Sequence, residues 1–257
     1  MSSDHLSAPR IPLESSAPSA LQKAVHGADA DLLLAAAADP ALSEDLALAL
    51  LQRNDLSPEI LQQLARNVRA IKSRKVKLAL INHLKTPRYV AMAVVRQLFT
   101  FDLMQVALTP VVPGDLKMAA EEALIDRLDT ISSGERLTLA RRASGRVAEA
   151  LLLDGEPQVM HAALENARLT EAHVVRALMS VQGSAAFVRA VCDHSRWSLR
   201  REVRVALLCS AKTPVSRAIE FAQGLPPALL REILQNSHLP AGVKARVIET
   251  MAGRRNR

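Results

Sequence analysis

One segment of this sequence occurs twice at a fixed offset in residue number. Residues 85–87, Lys-Thr-Pro, return as residues 212–214, and the helix-like pattern at residues 76–80 returns at residues 203–207, both at an offset of 127 (212 − 85 and 203 − 76). The sequence is therefore interpreted as a tandem duplication. A unit that is reused end to end is typical of stacked helical arrays, in which successive helices bury one another's apolar faces.

Short breaks divide the sequence into segments with helical spacing of apolar residues. Each break places a Ser, Thr or Leu-type position directly before Glu or Pro. A Ser or Thr side chain caps the free amides of a first helical turn, and Pro loses no hydrogen bond at the first helical position. The breaks therefore predict helix starts, at Ser43-Glu44, Ser57-Pro58, Thr86-Pro87, Val112-Pro113, Thr170-Glu171, Thr213-Pro214 and Leu239-Pro240. In this interpretation Thr86 and Thr213 are N-caps, and Pro87 and Pro214 begin helices.

The breaks also set the register of the duplication. Glu44, Pro87 and Pro113 each have a counterpart at the same offset, whereas Pro58 is matched to Ser184, one residue out of register.

The domain organisation follows from this register. The first copy covers about residues 28–153 and the second about residues 155–252, within a single helical array over residues 20–252. Residues 1–19 are rich in Ser, Pro and Ala, and are predicted to be a loosely ordered arm. Residues 253–257 are predicted to be a basic tail.

Composition supports an all-α fold. Hydrophobic residues make up 49% of the chain but aromatic residues only 2%, so the core must be packed mainly from Leu, Ala, Val, Ile and Met. Those side chains suit closely stacked helices. No alternating apolar pattern is long enough to indicate a strand.

Two breaks carry a family resemblance. The segments Asn54-Asp55-Leu56-Ser57-Pro58 and Asn166-Ala167-Arg168-Leu169-Thr170-Glu171 resemble those of HEAT-like α-solenoids, and more closely those of the bacterial leucine-rich repeat variant group. The resemblance covers about residues 28–252 and implies an α-solenoid of short helical hairpins.

Some members of the leucine-rich repeat variant group hold an iron–sulfur cluster with four cysteines near the repeats. This chain has two, Cys192 and Cys209. The resemblance therefore does not extend to the cluster, and no cofactor is expected.

The sequence predicts a cytoplasmic protein without membrane insertion. Its longest apolar stretch, residues 32–38, is far too short to cross a bilayer. Residues 5–19 contain three prolines and no apolar central run, unlike a signal peptide. In that compartment Cys192 and Cys209 are expected to be reduced thiols.

No residue pattern predicts catalysis or metal binding. Cys192, Asp193 and His194 are adjacent, but their spacing does not provide four ligands. The sequence has no Gly-x-Ser-x-Gly elbow, and its nine glycines are dispersed. The prediction is a protein that is not an enzyme.

A set of basic residues recurs in both copies of the duplication. Arg74 and Lys77 are predicted to lie on one edge of a helix, opposite an apolar arc, and recur as Arg201 and Arg204. The neighbouring Lys75 is replaced by Glu202 in the second copy, so the recurrence of positive charge is specific to certain positions and does not follow from the basic composition alone. The full predicted strip of basic residues comprises Arg69, Lys72, Arg74, Lys77, Arg141, Arg142, Arg196, Arg200, Arg201 and Arg204.

Two interpretations of this basic strip stay open. The arginine stems could cover apolar surface while their heads pair with carboxylates or helix carbonyl ends. Alternatively the strip could be a binding surface, with its two main clusters roughly 30 to 40 Å apart at the usual spacing of helices.

The predicted function is that of a non-catalytic adaptor or scaffold, which binds an acidic or extended protein partner. The alternative partner is nucleic acid, because the net charge is +7 and HEAT-like DNA glycosylases share a solenoid build. The chain has only one Trp and one Tyr, so it offers few aromatic side chains on which the bases of a single strand could stack. The sequence does not predict an oligomeric state.

Overall fold

The computed structural model of the chain describes residues 20–255, with side chains described through residue 252. The predicted arm at residues 1–19, and residues 256 and 257, lie outside the described residues. Regular structure in residues 20–255 is entirely helical, which confirms the all-α fold class. A short 3-10 helix covers Ala70–Lys72, and the α-helices are α1 Ala20–His26, α2 Ala30–Ala38, α3 Glu44–Leu51, α4 Pro58–Arg66, α5 Arg74–Asn82, α6 Arg88–Val95, α7 Thr100–Leu108, α8 Gly114–Ile125, α9 Ser133–Arg142, α10 Gly145–Leu151, α11 Pro157–Leu164, α12 Glu171–Met179, α13 Ala185–Asp193, α14 Arg201–Cys209, α15 Val215–Gln223, α16 Pro227–Asn236 and α17 Ala241–Arg255.

The chain divides into two compact units, with the boundary between Val94 and Val95. In the first unit α1 packs on α3, α2 on α4, and α3 on α5. In the second unit α8, α10, α12, α14 and α16 contact one another in succession, as do α9, α11 and α13, and α15 contacts α17. Within each unit, helices therefore pack against the next helix but one. The single array over residues 20–252 stays a prediction.

The cores of both units are built mainly from Leu, Val, Ile and Ala, as the composition predicts. The largest buried side chains lie in the second unit: Trp197, Phe187 and Phe221 are almost fully removed from solvent. The indole Nε1 of Trp197 donates a hydrogen bond to the carbonyl of Leu164 at 2.8 Å. This bond satisfies the one polar atom of the indole ring that burial would otherwise leave unpaired.

Helix starts recur at a constant separation. Helices α2 to α8 begin at Ala30, Glu44, Pro58, Arg74, Arg88, Thr100 and Gly114. Helices α11 to α17 begin at Pro157, Glu171, Ala185, Arg201, Val215, Pro227 and Ala241, each at the offset seen in the sequence.

This register corrects the predicted match of Pro58 with Ser184. Pro58 corresponds to Ala185, because both are first residues of their helices. Ser184 corresponds instead to Ser57, and both serines are N-caps.

The predicted N-caps at Thr86 and Thr213 are wrong. The Thr86 hydroxyl donates to the carbonyl of Leu80 at 2.7 Å, and the Thr213 hydroxyl to that of Leu207 at 2.6 Å. Both threonines therefore complete the end of the preceding helix. Pro87 and Pro214 lie one residue before their helices, where their carbonyls accept the first helical hydrogen bonds. A residue before proline is driven toward extended backbone, which places the helix start later.

Polar side chains bind the free carbonyls at many helix ends. Asn67 donates to the carbonyls of Ala37 and Asp39, at 3.0 and 2.9 Å. Asn166 makes similar bonds to the carbonyls of Ala140 and Ala143, at 2.7 and 3.2 Å. The carbonyls at the end of a helix have no partner within that helix. Since donor and acceptor come from successive helix pairs, these bonds fix one pair against the next.

Helix α17 extends through Arg255, so the predicted basic tail at residues 253–257 begins inside a helix. None of the helices in residues 20–255 combines the length and apolar character needed to cross a bilayer.

Candidate functional site: a groove with a basic edge

The first unit holds four residues of the predicted basic strip. Arg69 and Lys72 flank the short 3-10 helix, and Arg74 and Lys77 lie in the first turns of α5. Lys77 is half-buried and the other three are exposed. Arg74 and Lys77 each interact with another residue. The N-terminus of a helix favours anions, so the helix dipole does not stabilise cations at this place.

The charge beside these residues is partly balanced within the first unit. Lys75 Nζ lies 3.1 Å from Glu44 Oε1. The Lys75 ammonium lowers the pKa of the Glu44 carboxyl below its usual value, through a hydrogen bond on the surface. The residue that pairs with Glu44 is therefore Lys75, which is not part of the predicted basic strip.

In the second unit, two of the predicted residues have structural roles. The Arg196 guanidinium lies 4.1 Å from the centroid of the Trp197 ring, and its Nη2 donates to the carbonyl of Leu169 at 3.2 Å. Arg204 Nε donates to the carbonyl of Ser198 at 2.6 Å. The Arg204 guanidinium also lies 5.6 Å from the centroid of the Phe221 ring. Both side chains thus cover core aromatic surface and bind loop carbonyls, which agrees with the structural interpretation of the strip.

The other four predicted residues of the second unit are exposed. Arg141 and Arg142 form the last turn of α9, and Arg200 and Arg201 lie at the start of α14. Their side chains make no hydrogen bond or ion pair with any residue that the structure describes.

A further arginine connects these positions. Arg168 Nη1 donates to the carbonyl of Arg142 at 3.2 Å. Arg142 is the last residue of α9, and Arg168 and Arg196 lie shortly after the C-terminal ends of α11 and α13. Helix α11 contacts both α9 and α13. The prediction missed Arg168, although its place near the midpoint between Arg142 and Arg196 is visible in the sequence. Arg141, Arg142, Arg168, Arg196 and Arg200 are called the basic edge below.

A groove runs across the exposed side of the same three helices. It consists of two adjacent depressions of about 550 and 580 Å³, which share Pro157, His161 and Glu165. Leu137, Arg141, Gln158 and Ala162 complete the first depression. The second is completed by residues of α11, α13 and the turn that follows: Met160, Ala186, Arg189, Ala190, Asp193, His194 and Ser195.

The groove combines apolar surface with separated charges. Arg189 is exposed, and its side chain has no hydrogen bond or ion pair among the described residues. Asp193 is already paired, because Arg217 Nη2 lies 2.7 Å from its Oδ1. Arg217 also contacts Glu220 at 2.7 Å, and these two carboxylates raise its pKa. The positive charge that stays unpaired along the groove comes from Arg141 and Arg189.

Neither thiol of the second unit lines the groove. Cys192 and Cys209 are free thiols, and burial raises the pKa of Cys192 to about 11. In residues 20–255, no group of three or more His, Cys, Asp or Glu side chains is close enough to hold a metal ion.

Comparison with known proteins gives no relative from which a function could be transferred: no family model matches the chain, and no curated protein and no solved structure matches it.

Proposed function

We propose that the protein is a non-catalytic adaptor built as a duplicated, HEAT-like array of helical hairpins. Its groove between α9, α11 and α13 binds an extended acidic segment of a protein partner. The observation that carries the proposal is Arg141, which is exposed, lines the groove and has no internal partner among the described residues.

The duplicated array is supported by local contacts that recur at equivalent positions of the two copies. The backbone N–H of Arg69 donates to Asn67 Oδ1 at 3.1 Å, and that of Arg196 donates to His194 Nδ1 at 3.1 Å. The ion pair between Lys75 and Glu44 has a counterpart as well. There the backbone N–H of Glu202 donates to Glu171 Oε1 at 3.2 Å, so the contact recurs although the charge has changed.

The chemistry of the groove favours an acidic partner. Arg141 and Arg189 provide unpaired cations on its lining, and Arg142 and Arg200 extend the charge along the basic edge. Opposite charges across an interface increase the rate of association and select the partner. The apolar surface between them suits small and aliphatic side chains of that partner.

The dimensions of the groove favour an extended segment. Three packed helices with axes roughly 8 to 10 Å apart span roughly 16 to 20 Å. An extended chain advances about 3.3 Å per residue, so about five to six residues cross the groove. Binding over a preformed surface of several repeats is the common mode of helical arrays.

One observation favours protein over nucleic acid as the partner. Trp197 is almost fully buried, so it is not available to stack on a base.

The proposal is tested with a fluorescein-labelled, glutamate-rich octapeptide at low salt, using fluorescence anisotropy. Reversing the charge of Arg141 to Glu should weaken binding about tenfold or more, equivalent to about 1.4 kcal/mol. The matched control is Arg246→Glu, on exposed α17, which should bind as the wild type does. A single-stranded oligonucleotide of equal charge is the second probe.

Equal affinity of Arg141→Glu and the wild type for the peptide would contradict the proposal. Binding of the oligonucleotide in preference to the peptide would contradict it in favour of the nucleic-acid alternative.

A further inference from the structure

Within the second unit, α10 packs against α8. Leu124 of α8 is fully buried, and so is Leu103 of α7, the helix that packs on α8. On α10, Val147, Ala148 and Leu151 are equally buried. In the proposed duplication α10 is the counterpart of α1, because residues 20–26 shifted by 127 give residues 147–153. In this register the second copy begins at α10 instead of near residue 155, so the contact of α10 with α8 joins the two copies.

The surface that corresponds to α7 and α8 is open at the end of the second copy. Leu230 corresponds to Leu103, and Met251 to Leu124. These residues line a groove of about 310 Å³ between α16 and α17, together with Leu234 and Ile248. Ile248 is 54% exposed although it faces this apolar groove.

The substitution at this position makes the open groove more apolar than the internal contact. Ile248 corresponds to Glu121 of α8, whose carboxylate lies 3.9 Å from Arg146 of α10. An exposed isoleucine in place of a carboxylate favours an apolar partner.

The surface that corresponds to α10 is open at the beginning of the first copy. By the same offset, Ala20, Leu21 and Ala24 of α1 correspond to Val147, Ala148 and Leu151. Ala20 is exposed, and Leu21 and Ala24 are half-buried. Among the described residues, the counterparts of the two surfaces that meet inside the chain are therefore both left uncovered, one on α1 and the other on α16 and α17.

The two ends carry opposite charge. Residues 20–45 contain five carboxylates and one lysine, whereas residues 227–257 contain six Lys or Arg and two glutamates. Opposite net charges attract the ends of separate molecules and orient their encounter.

We propose that the protein associates head to tail with a second copy of itself, and that α1 of one copy packs into the α16–α17 groove of the next. The contact repeats the packing of α10 on α8 between chains. It joins unlike surfaces, so it can be extended from copy to copy. The inference rests on the proposed duplication and is independent of the binding groove at α9, α11 and α13.

The association is tested by sedimentation velocity of the full chain over a range of concentrations. The average mass of the wild type should rise with concentration above that of the 27.9 kDa chain. High salt should reduce it, since salt screens the opposite charges of the two ends. If the average mass stays that of the monomer up to a protein concentration of about 1 mM, the proposal is overturned. A contact with a weaker dissociation constant than that does not form a defined complex.

Two variants separate head-to-tail pairing from other modes. Ile248→Glu alters the groove, and Ala20→Arg alters the opposite surface; both positions are exposed, so the fold should be retained, which circular dichroism checks. Each variant alone should be monomeric. An equimolar mixture should form dimers that do not extend, because each variant keeps the surface that the other lacks.

The control variant is Met118→Glu, at an exposed apolar position of α8 outside both surfaces, and it should associate as the wild type does. Dimers of Ala20→Arg alone would indicate a symmetric contact between two grooves and overturn the proposal. A mixture of the two variants that stays monomeric would also overturn it. Arg141→Glu should keep the mass of the wild type, so failure of the adaptor proposal is distinguished from failure of this one.

Discussion

Thr86 and Thr213 make the same hydrogen bond, each from its hydroxyl to the carbonyl of the residue six positions earlier. The distances to Leu80 and Leu207 are 2.7 and 2.6 Å. The repeated Lys-Thr-Pro tripeptide is thus explained by structure: its threonine closes one helix and its proline precedes the next.

The first prediction concerns this bond. Thr213 is buried, so Thr213→Val should lower the free energy of unfolding by about 1 to 2 kcal/mol, because the Leu207 carbonyl loses its side-chain donor. Chemical denaturation followed by circular dichroism measures the change. The control is Thr250→Val, whose exposed hydroxyl bonds to Arg246 and whose removal should cost less than about 0.5 kcal/mol. Equal effects of the two substitutions would contradict this account.

The second prediction concerns the close approach of Gly145 to the loop before α12. A Cβ at Gly145 would lie 2.5 Å from the backbone oxygen of Arg168 and closer still to the His173 ring. Gly145→Ala should therefore destabilise the protein by about 1 to 3 kcal/mol, since a backbone atom cannot move aside easily. Gly134→Ala is the matched control: its Cβ meets nothing within 4 Å, and the helix should become more stable. Thermal unfolding of the two variants compares them directly.

The third prediction is a pH dependence of stability. His173 Nδ1 accepts a hydrogen bond from the backbone N–H of Thr170 at 3.1 Å. Burial lowers the pKa of His173 below the usual 6.5, partly opposed by Glu149. The unfolded chain therefore binds this proton more readily than the folded chain. Stability from this group is present above about pH 6.5 and is lost as the pH falls below it.

His173→Gln isolates that effect, because glutamine at the third helical position can keep the capping interaction without titrating. Urea denaturation at about pH 7.5 and pH 5.5 should show a larger loss of stability for the wild type than for the variant. If both proteins lose the same stability, His173 is not the group responsible.

The fourth prediction separates the two kinds of arginine on the basic edge. Arg196→Ala should cost about 1 kcal/mol, since it removes both the contact with Trp197 and the hydrogen bond to Leu169. Arg200→Ala should change stability by less than about 0.5 kcal/mol, because Arg200 is exposed. Denaturation curves of the two variants measure the loss of stability. A larger loss for Arg200→Ala than for Arg196→Ala would show that the structural role is wrongly assigned to Arg196.

Much of the helix pattern can be predicted from the sequence, because helix starts depend on local chemistry. Ser43 caps α3 and Pro58 begins α4 where the sequence places them. The pattern assigns Thr86 and Thr213 wrongly. The hydroxyl of a threonine before proline can donate to a carbonyl of the preceding helix as readily as it can accept from an amide of the following helix. The choice depends on whether the carbonyl of the preceding helix lies within reach, which a linear pattern does not contain.

The candidate site is less accessible to sequence reasoning. Arg196 and Arg200 are both arginines in one loop, and the position of the Trp197 ring distinguishes their roles. Gln158 and His161 line the groove although no local motif marks them. The groove arises where α9, α11 and α13 pack side by side, and depends on contacts between residues that are distant in the sequence.

The central claim is that an extended acidic segment binds in the groove between α9, α11 and α13. The most direct test uses the glutamate-rich octapeptide with a benzophenone group at its centre, followed by irradiation and mass-spectrometric mapping of the cross-link. The account predicts cross-links on groove residues, such as Gln158, His161 and Ala190. Cross-links confined to residues 69–77 of the first unit, or none above those of a lysine-rich control peptide, would contradict it.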